Sequence, residues 1–291
     1  MNAKLLSPLT LLAALSLSAC VNAIPQAPSP FAEMDRLPPI RATLACLPDE
    51  AALVAAHRMT AEALNDPENS LSSLQRLIDH GTMMAEVDIA SIADGTPILF
   101  HDGVWDEHAS TTGPVVTTSP EKFERLRLKD KDGRVGGEPV PTLSDLLDVS
   151  KDRIYIELDL KSSANLGQVI TLVRERDMVD QVLLIASTDA EAALFQEEYG
   201  DEFLLSLSEA NSTSPAQGIW IGEGWQESAA AQVSPEHYVI GAQWQLETSK
   251  LPAAADALDI LVTRQATLYP AVVGLTDADT FRACLQEALP N

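Results

Sequence analysis

Short apolar runs of strand length recur along the chain, separated by stretches whose apolar residues repeat every three to four positions. Residues 51–56 form one such run, which ends in His57-Arg58, and further runs occupy 83–90, 98–100, 182–186, 203–207 and 218–221. Residues 153–161 alternate cleanly. Ile154, Ile156, Leu158 and Leu160 share one parity, and Tyr155, Glu157, Asp159 and Lys161 share the other. Residues 238–244 and 259–263 bring the candidate strands to nine. Between the strands lie helical patterns. In 71–80, Leu71, Leu74, Leu77 and Ile78 share a face, Asn69 or Ser70 is available as cap, and Gly81 follows. Another helix opens after Thr142, a suitable cap, and others span 166–176, 190–199 and 276–289, with Asp277 at the start of the last.

Repeated strand–helix alternation without a glycine-rich dinucleotide turn predicts an α/β fold, a (β/α)8 TIM barrel. Nine strands are one too many, and either 203–207 or Gly218–Ile221 is expected to be accessory. Residues 103–141 break the alternation and form an insertion after the third strand, of the kind that builds a lid or a binding wall.

Charge and the N-terminus narrow the picture. A formal net charge of -24 excludes nucleic acid as an expected partner, because phosphate backbones need a basic footprint. Any anion-handling site in this chain must be locally cationic. Lys4 precedes an apolar stretch over 5–17 that ends in Leu17-Ser18-Ala19-Cys20, which looks like a bacterial lipobox, the alternative being a plain secretory signal cut after Ala19 or Ala23. The expected layout is a signal peptide over 1–19, a Pro-, Ala- and Ser-rich linker over 20–41, and a folded domain over 42–291. The chain is then expected to be exported to the cell envelope and lipid-anchored at Cys20, with the outer membrane favoured. Cys46 and Cys284 remain as an even pair, which an exported protein can join as a disulfide between the first and last elements of the fold.

The candidate chemistry centres on 85–102. Glu86 and Asp88 are two residues apart within a strand and so share a face. A turn over Ala93-Asp94-Gly95-Thr96 follows, and the next run ends in His101-Asp102. His57, Glu86, Asp88, His101, Asp159 and Lys161 all fall at or near the ends of early strands, where barrels of this type build their sites. Clustered carboxylates beside imidazoles suit a hard divalent cation next to an acid/base group.

His57-Arg58, Pro67-Glu68-Asn69, Glu86-x-Asp88, Asp94-Gly95, His101-Asp102, Thr112-Gly113, Pro141-Thr142-Leu143 and Asp159-x-Lys161 occur in the order and approximate spacing of the glycerophosphodiester phosphodiesterase family, which the chain resembles over about 51–161. The resemblance implies a TIM barrel with an insertion after the third strand. It also implies hydrolysis of glycerophosphodiesters to glycerol 3-phosphate and an alcohol, with one divalent cation, Ca2+ or Mg2+. Carried over, Glu86, Asp88 and Asp159 would ligate the metal, with Glu157 as the alternative third acid. His57 would act as base and His101 as acid, in either order. Arg58 and Lys161 would hold phosphate oxygens, and Trp244 would wall the glycerol side. Met59 stands where the family has glycine and is expected to add bulk beside the site, and Thr263-Arg264 stands where Thr-Asp is common. Two other readings stay open: a phospholipase-D-like relative acting on other phosphodiesters, and a non-catalytic surface lipoprotein. Oligomeric state is not legible.

Overall fold

The computed structural model describes residues 34, 36–48, 52–60, 66–79, 81–207, 218–221, 239–242, 272–273 and 277–289. Among them, seven parallel strands pair in a ring: β1 (Ala52–Ala56), β2 (Met84–Ser91), β6 (Tyr155–Leu160), β7 (Val182–Ala186), β8 (Leu204–Leu207), β9 (Gly218–Ile221) and β10 (Val239–Ala242), with β10 returning to β1. The fold is an α/β barrel of the TIM type. The expected strand at 259–263 lies outside the described residues.

The surplus strand is not where the sequence pattern suggested. Both 204–207 and 218–221 belong to the ring. The accessory element is β3 (Pro97–Leu99), which turns back antiparallel on β2 with Ile89 opposite Leu99 and Ser91 opposite Pro97. The intervening turn falls on 93–96 as expected, with Gly95 at φ +87°, a conformation that favours glycine. Ile98 and Leu99 are as apolar as a barrel strand, and periodicity alone cannot tell a hairpin arm from a ring member. A second short strand, β11 (Val272–Val273), pairs antiparallel with β1.

Alternation sorts the strands' side chains into two sets. One parity faces outward: Ala85, Val87 and Ile89 of β2, Ile156 and Leu158 of β6, and Leu184 and Ala186 of β7 pack beneath α2 (Leu71–Asp79), α4 (Leu143–Ser150), α5 (Leu166–Glu175) and α6 (Asp189–Tyr199). Ser70 Oγ accepts from Ser73 N at 3.2 Å, so serine supplies the cap of α2. Thr142 and Asp145 form a reciprocal capping box on α4.

The other parity faces inward. Near the N-terminal strand ends, Leu53, Met84, Tyr155, Leu183 and Leu204 meet Ile40 and Leu44 of α1 (Ile40–Cys46) and Phe281 and Leu285 of α7 (Ala278–Ala288). Asp277 caps α7 through Thr280 N. Cys46 and Cys284 are disulfide-bonded across a separation of 238 residues, joining α1 to α7. Leu37 and Ile40 are buried in this layer, so packed chain begins earlier than the expected boundary at Ala42.

The insertion has its own core of Trp105, Ala109, Val115, Leu126, Leu128 and Val140 against Ile98 and Phe100. It includes the short helix α3 (Pro120–Phe123) and the hairpin of β4 (Arg127–Lys129) and β5 (Val135–Pro139). Glu138 of β5 accepts from Ser72 N and Ser72 Oγ at 2.9 and 2.6 Å, which straps the insertion to the N-terminus of α2, where a carboxylate is favoured.

Candidate active site

The inward parity that is apolar at one end of the barrel becomes acidic toward the other. On β2, Met84 is followed by Glu86 and Asp88; on β6, Tyr155 is followed by Glu157 and Asp159. The parallel register sets Glu86 beside Glu157 and Asp88 beside Asp159. Glu86, Asp88 and Asp159 each bring a carboxylate oxygen within 4.8 Å of the others, among the described residues the one such group of three acidic, His or Cys ligands. Asp159 therefore comes from the third strand of the ring rather than the fourth, because β3 is not a ring member.

The cations expected to hold phosphate are at the same place and already paired. Lys161 Nζ lies 2.7 Å from Asp88 and 2.5 Å from Asp159. Arg58 Nε is 3.4 Å from Asp88, and Arg58 Nη1 donates to Glu68 at 3.1 Å. The Arg58 backbone N donates to Glu86 at 2.8 Å. That bond depends on a sharp turn, because Arg58 and Met59 both adopt left-handed φ, 50° and 55°, at the end of β1. Met59 does not crowd the site: its side chain is fully buried in the outer core with Leu74 and Leu77. The turn that would suit glycine swings it out of the barrel interior.

Electrostatics separate the acids. Burial alone would raise Asp88, but Lys161 and Arg58 outweigh it and hold its carboxyl below the usual range. Glu86 is pushed well up, first by burial and then by the charge of Asp88. Glu157 is fully buried deeper in the barrel, and burial, only partly offset by the neighbouring Ser206 hydroxyl, pushes its carboxyl up to about 7. Glu157 is thus not one of the three grouped carboxylates.

His57 follows β1 directly, and burial, then Arg58, lowers it to about 3. It is therefore neutral through the neutral range, the form that has a ring nitrogen free of a proton, although this lowering makes it a weak base. His101 follows β3, where Phe100 N bonds Asp88 O at 3.0 Å and fixes the hairpin arm over the site. Its Nδ1 donates to Asp102 at 2.8 Å, which leaves Nε2 as the nitrogen for proton transfer.

Three side chains complete the cluster without having been assigned roles from sequence. Asn69, with φ 52°, donates to Asp88 at 2.8 Å and accepts from Asp88 N at 3.1 Å; Glu68 clamps Arg58; Asp102 orients His101. All three sit in the matched Pro67-Glu68-Asn69 and His101-Asp102 motifs, which was the available signal. Trp244, Thr263-Arg264 and Cys20 lie outside the described residues.

The architecture has close company among solved structures. A glycerophosphoryl diester phosphodiesterase from Parabacteroides distasonis superposes with a TM-score of 0.63 at 17% identity, over 88% of this chain and 94% of that one. An Oleispira antarctica phosphodiesterase, solved with the product sn-glycerol-3-phosphate, superposes with a TM-score of 0.55 at 18% identity, over 84% and 98% of the two chains. In sequence, the chain is 26% identical over 139 residues to a glycerophosphodiester phosphodiesterase of Caldanaerobacter subterraneus, covering 45% of this chain and 56% of that protein. It is 27% identical over 136 residues to human glycerophosphodiester phosphodiesterase 1, covering 44% and 40%. The chain thus spans about half the length of the curated relatives it matches. The model of the glycerophosphoryl diester phosphodiesterase family matches residues 57–265, more than half of the chain and all of the acidic cluster, and the chain belongs to that family.

Proposed function

We propose that this protein hydrolyses glycerophosphodiesters to glycerol 3-phosphate and an alcohol, using one divalent cation, Ca2+ or Mg2+, and water as the attacking group. The observation that carries the reading is the convergence of His57, His101, Arg58, Lys161 and three grouped carboxylates at the open end of a barrel of this family. The three carboxylates suit such a cation: they are hard oxygen donors, and Glu86 is buried where a cation would offset the penalty on its charged form. When bound, the cation supplies polarisation of the phosphoryl group and relief of its developing charge.

The protein's own residues do the rest. Neutral His57 takes the proton of the attacking water. His101 in its doubly protonated form, with Nδ1–H held by Asp102, delivers its Nε2 proton to the leaving oxygen and is left as the neutral Nδ1–H tautomer. Arg58 and Lys161 hold the non-bridging oxygens and supply the local positive charge that a chain of net -24 otherwise lacks. A product complex with sn-glycerol-3-phosphate in the Oleispira relative supports glycerol 3-phosphate as the retained half.

The test is choline release from glycerophosphocholine by wild type, His57→Ala and His101→Ala, each with and without EDTA. Wild type should turn over only without chelator, and each variant should lose roughly 10²–10⁴ in kcat. Full, chelator-resistant activity in both variants would overturn the mechanism.

From the Leu17-Ser18-Ala19-Cys20 motif we further propose that the protein is exported to the cell envelope and lipid-anchored at Cys20. The Cys46–Cys284 disulfide supports an oxidising compartment. Metabolic labelling with a radioactive fatty acid should mark wild type and not Cys20→Ala; equal labelling of both would dismiss Cys20 as the lipidation site.

A further inference from the structure

We propose that His108, carried by the insertion, is a positioning residue for the reaction: it holds Asp102 and Glu68 in place, and through them the acid/base group His101 and the phosphate-binding Arg58. This rests on the phosphodiesterase reading above. The contacts form a chain. His101 Nδ1 is 2.8 Å from Asp102 Oδ1. The other oxygen of Asp102 is 3.4 Å from His108 Nε2. His108 Nδ1 is in turn 3.8 Å from Glu68 Oε1, and Glu68 binds Arg58. One imidazole therefore stands between two carboxylates, close to Asp102 and at ion-pair distance only from Glu68, and each carboxylate orients a different functional group.

The insertion is built to hold that ring still. His108 lies edge-on to Phe100, with ring centroids 6.4 Å apart, and Phe100 packs on Trp105 at 4.6 Å. Trp105 is fully buried, and its Nε1 donates to Thr118 at 2.8 Å. The carbonyl of His108 accepts from Lys129 N at 2.9 Å, and the next residue, Ala109, is buried and bridged to Leu128. The backbone at His108 is thus fixed by the insertion and its ring stands against Phe100, while its two nitrogens turn toward Asp102 and Glu68. Position 108 precedes the matched Thr112-Gly113 and is not part of any matched motif, so it carried no signal in the sequence.

The physical consequence follows from charge. Without the ring, Asp102 and Glu68 face each other with no donor between them, and like charges repel. Asp102 then loses the contact that keeps its other oxygen aimed at His101 Nδ1. Arg58 keeps a second partner in Asp88, so phosphate binding suffers less than proton transfer. The signature is a loss in kcat with little change in KM.

The experiment compares wild type, His108→Ala and His108→Gln by glycerophosphocholine hydrolysis, by thermal unfolding, and by two-bond 1H–15N NMR of the imidazoles, with His101 assigned through His101→Ala. In wild type His101 should show the Nδ1–H tautomer. His108→Ala should lower kcat about tenfold, leave KM within about twofold, and shift the His101 signal toward mixed tautomers. His108→Gln, whose amide can donate to Asp102, should recover most of both. An unchanged kcat and His101 signal in His108→Ala, or a fall confined to the unfolding midpoint, would overturn the inference. Failure of wild type to hydrolyse any phosphodiester would instead overturn the functional reading, while the tautomer comparison would still decide whether His108 orients Asp102.

Discussion

The two ends of the barrel interior are built from the same strands and the same parity of residues, yet one is core and the other is site. At the N-terminal end, Met84 and Tyr155 are covered by α1 and α7, and the Tyr155 hydroxyl is fully engaged, donating to Pro38 O at 2.7 Å and pairing with Thr43 at 2.6 Å. At the C-terminal end, Asp88 and Asp159 meet polar side chains from the segments that follow the strands: Lys161 at both, with Arg58 and the Asn69 amide at Asp88. Alternation decides what points inward; cover and the chemistry of the following loops decide whether the inside is dry. Glu157 marks the frontier: it lies one pleat above Tyr155, fully buried, with the Ser206 hydroxyl as its polar neighbour.

That contrast can be broken from below first. Removing the disulfide in the double variant Cys46→Ser/Cys284→Ser releases the link between the two helices that close the lower end, and should cost about 2–5 kcal/mol of stability. Chemical or thermal unfolding measures this, and choline release at 25 °C should stay near wild type because the site is at the other end. Comparable loss of both stability and kcat would mean that the ends are not independent.

The frontier is next. The carboxyl of Glu157 is raised in the fold to about 7 from its ordinary value near 4.5, so between those pH values the native state holds more protons than the unfolded chain. Its contribution favours the fold below about 4.5 and is lost as pH rises through 7. Glu157→Gln should therefore gain up to roughly 3 kcal/mol relative to wild type at pH 8, and little at pH 4.5, in unfolding experiments with EDTA present. A pH-independent difference would show that Glu157 is partnered or stays charged.

The smallest effect is expected from Tyr155→Phe, which removes one buried hydroxyl and leaves Thr43 and the Pro38 carbonyl short of a partner. The cost should be about 1 kcal/mol in unfolding, with kcat unchanged. A larger loss would show that the lower end is held more by this polar contact than by its apolar packing.

Much of this was legible in one dimension. The pattern of 153–161 separated Glu157, Asp159 and Lys161 from Ile156 and Leu158, and the structure keeps that division, with one set inside the barrel and the other beneath the helices. The caps Thr142 and Asp277 and the Cys46–Cys284 pairing also follow from local chemistry or cysteine count. Residues 98–100 were misassigned because a buried hairpin arm and a buried ring strand carry the same apolar run, and only pairing direction distinguishes them. Met59 was misplaced for a related reason: side-chain direction at a turn depends on φ, and positive φ at a non-glycine residue leaves no mark in the sequence.

What the sequence determined by itself was a set of residue types at fixed spacings: carboxylates two apart on strands, histidines at strand ends, and an acidic chain with just a few cations beside them. These suffice for the fold and for the family's chemistry, because strand periodicity is a local property of the backbone. Tertiary structure alone decided which carboxylates meet, that Lys161 and Arg58 share Asp88, and that an insertion residue, His108, reaches Asp102 and Glu68. Those contacts join positions tens of residues apart, through register between strands and the packing of an insertion on the barrel rim. No local pattern encodes either one.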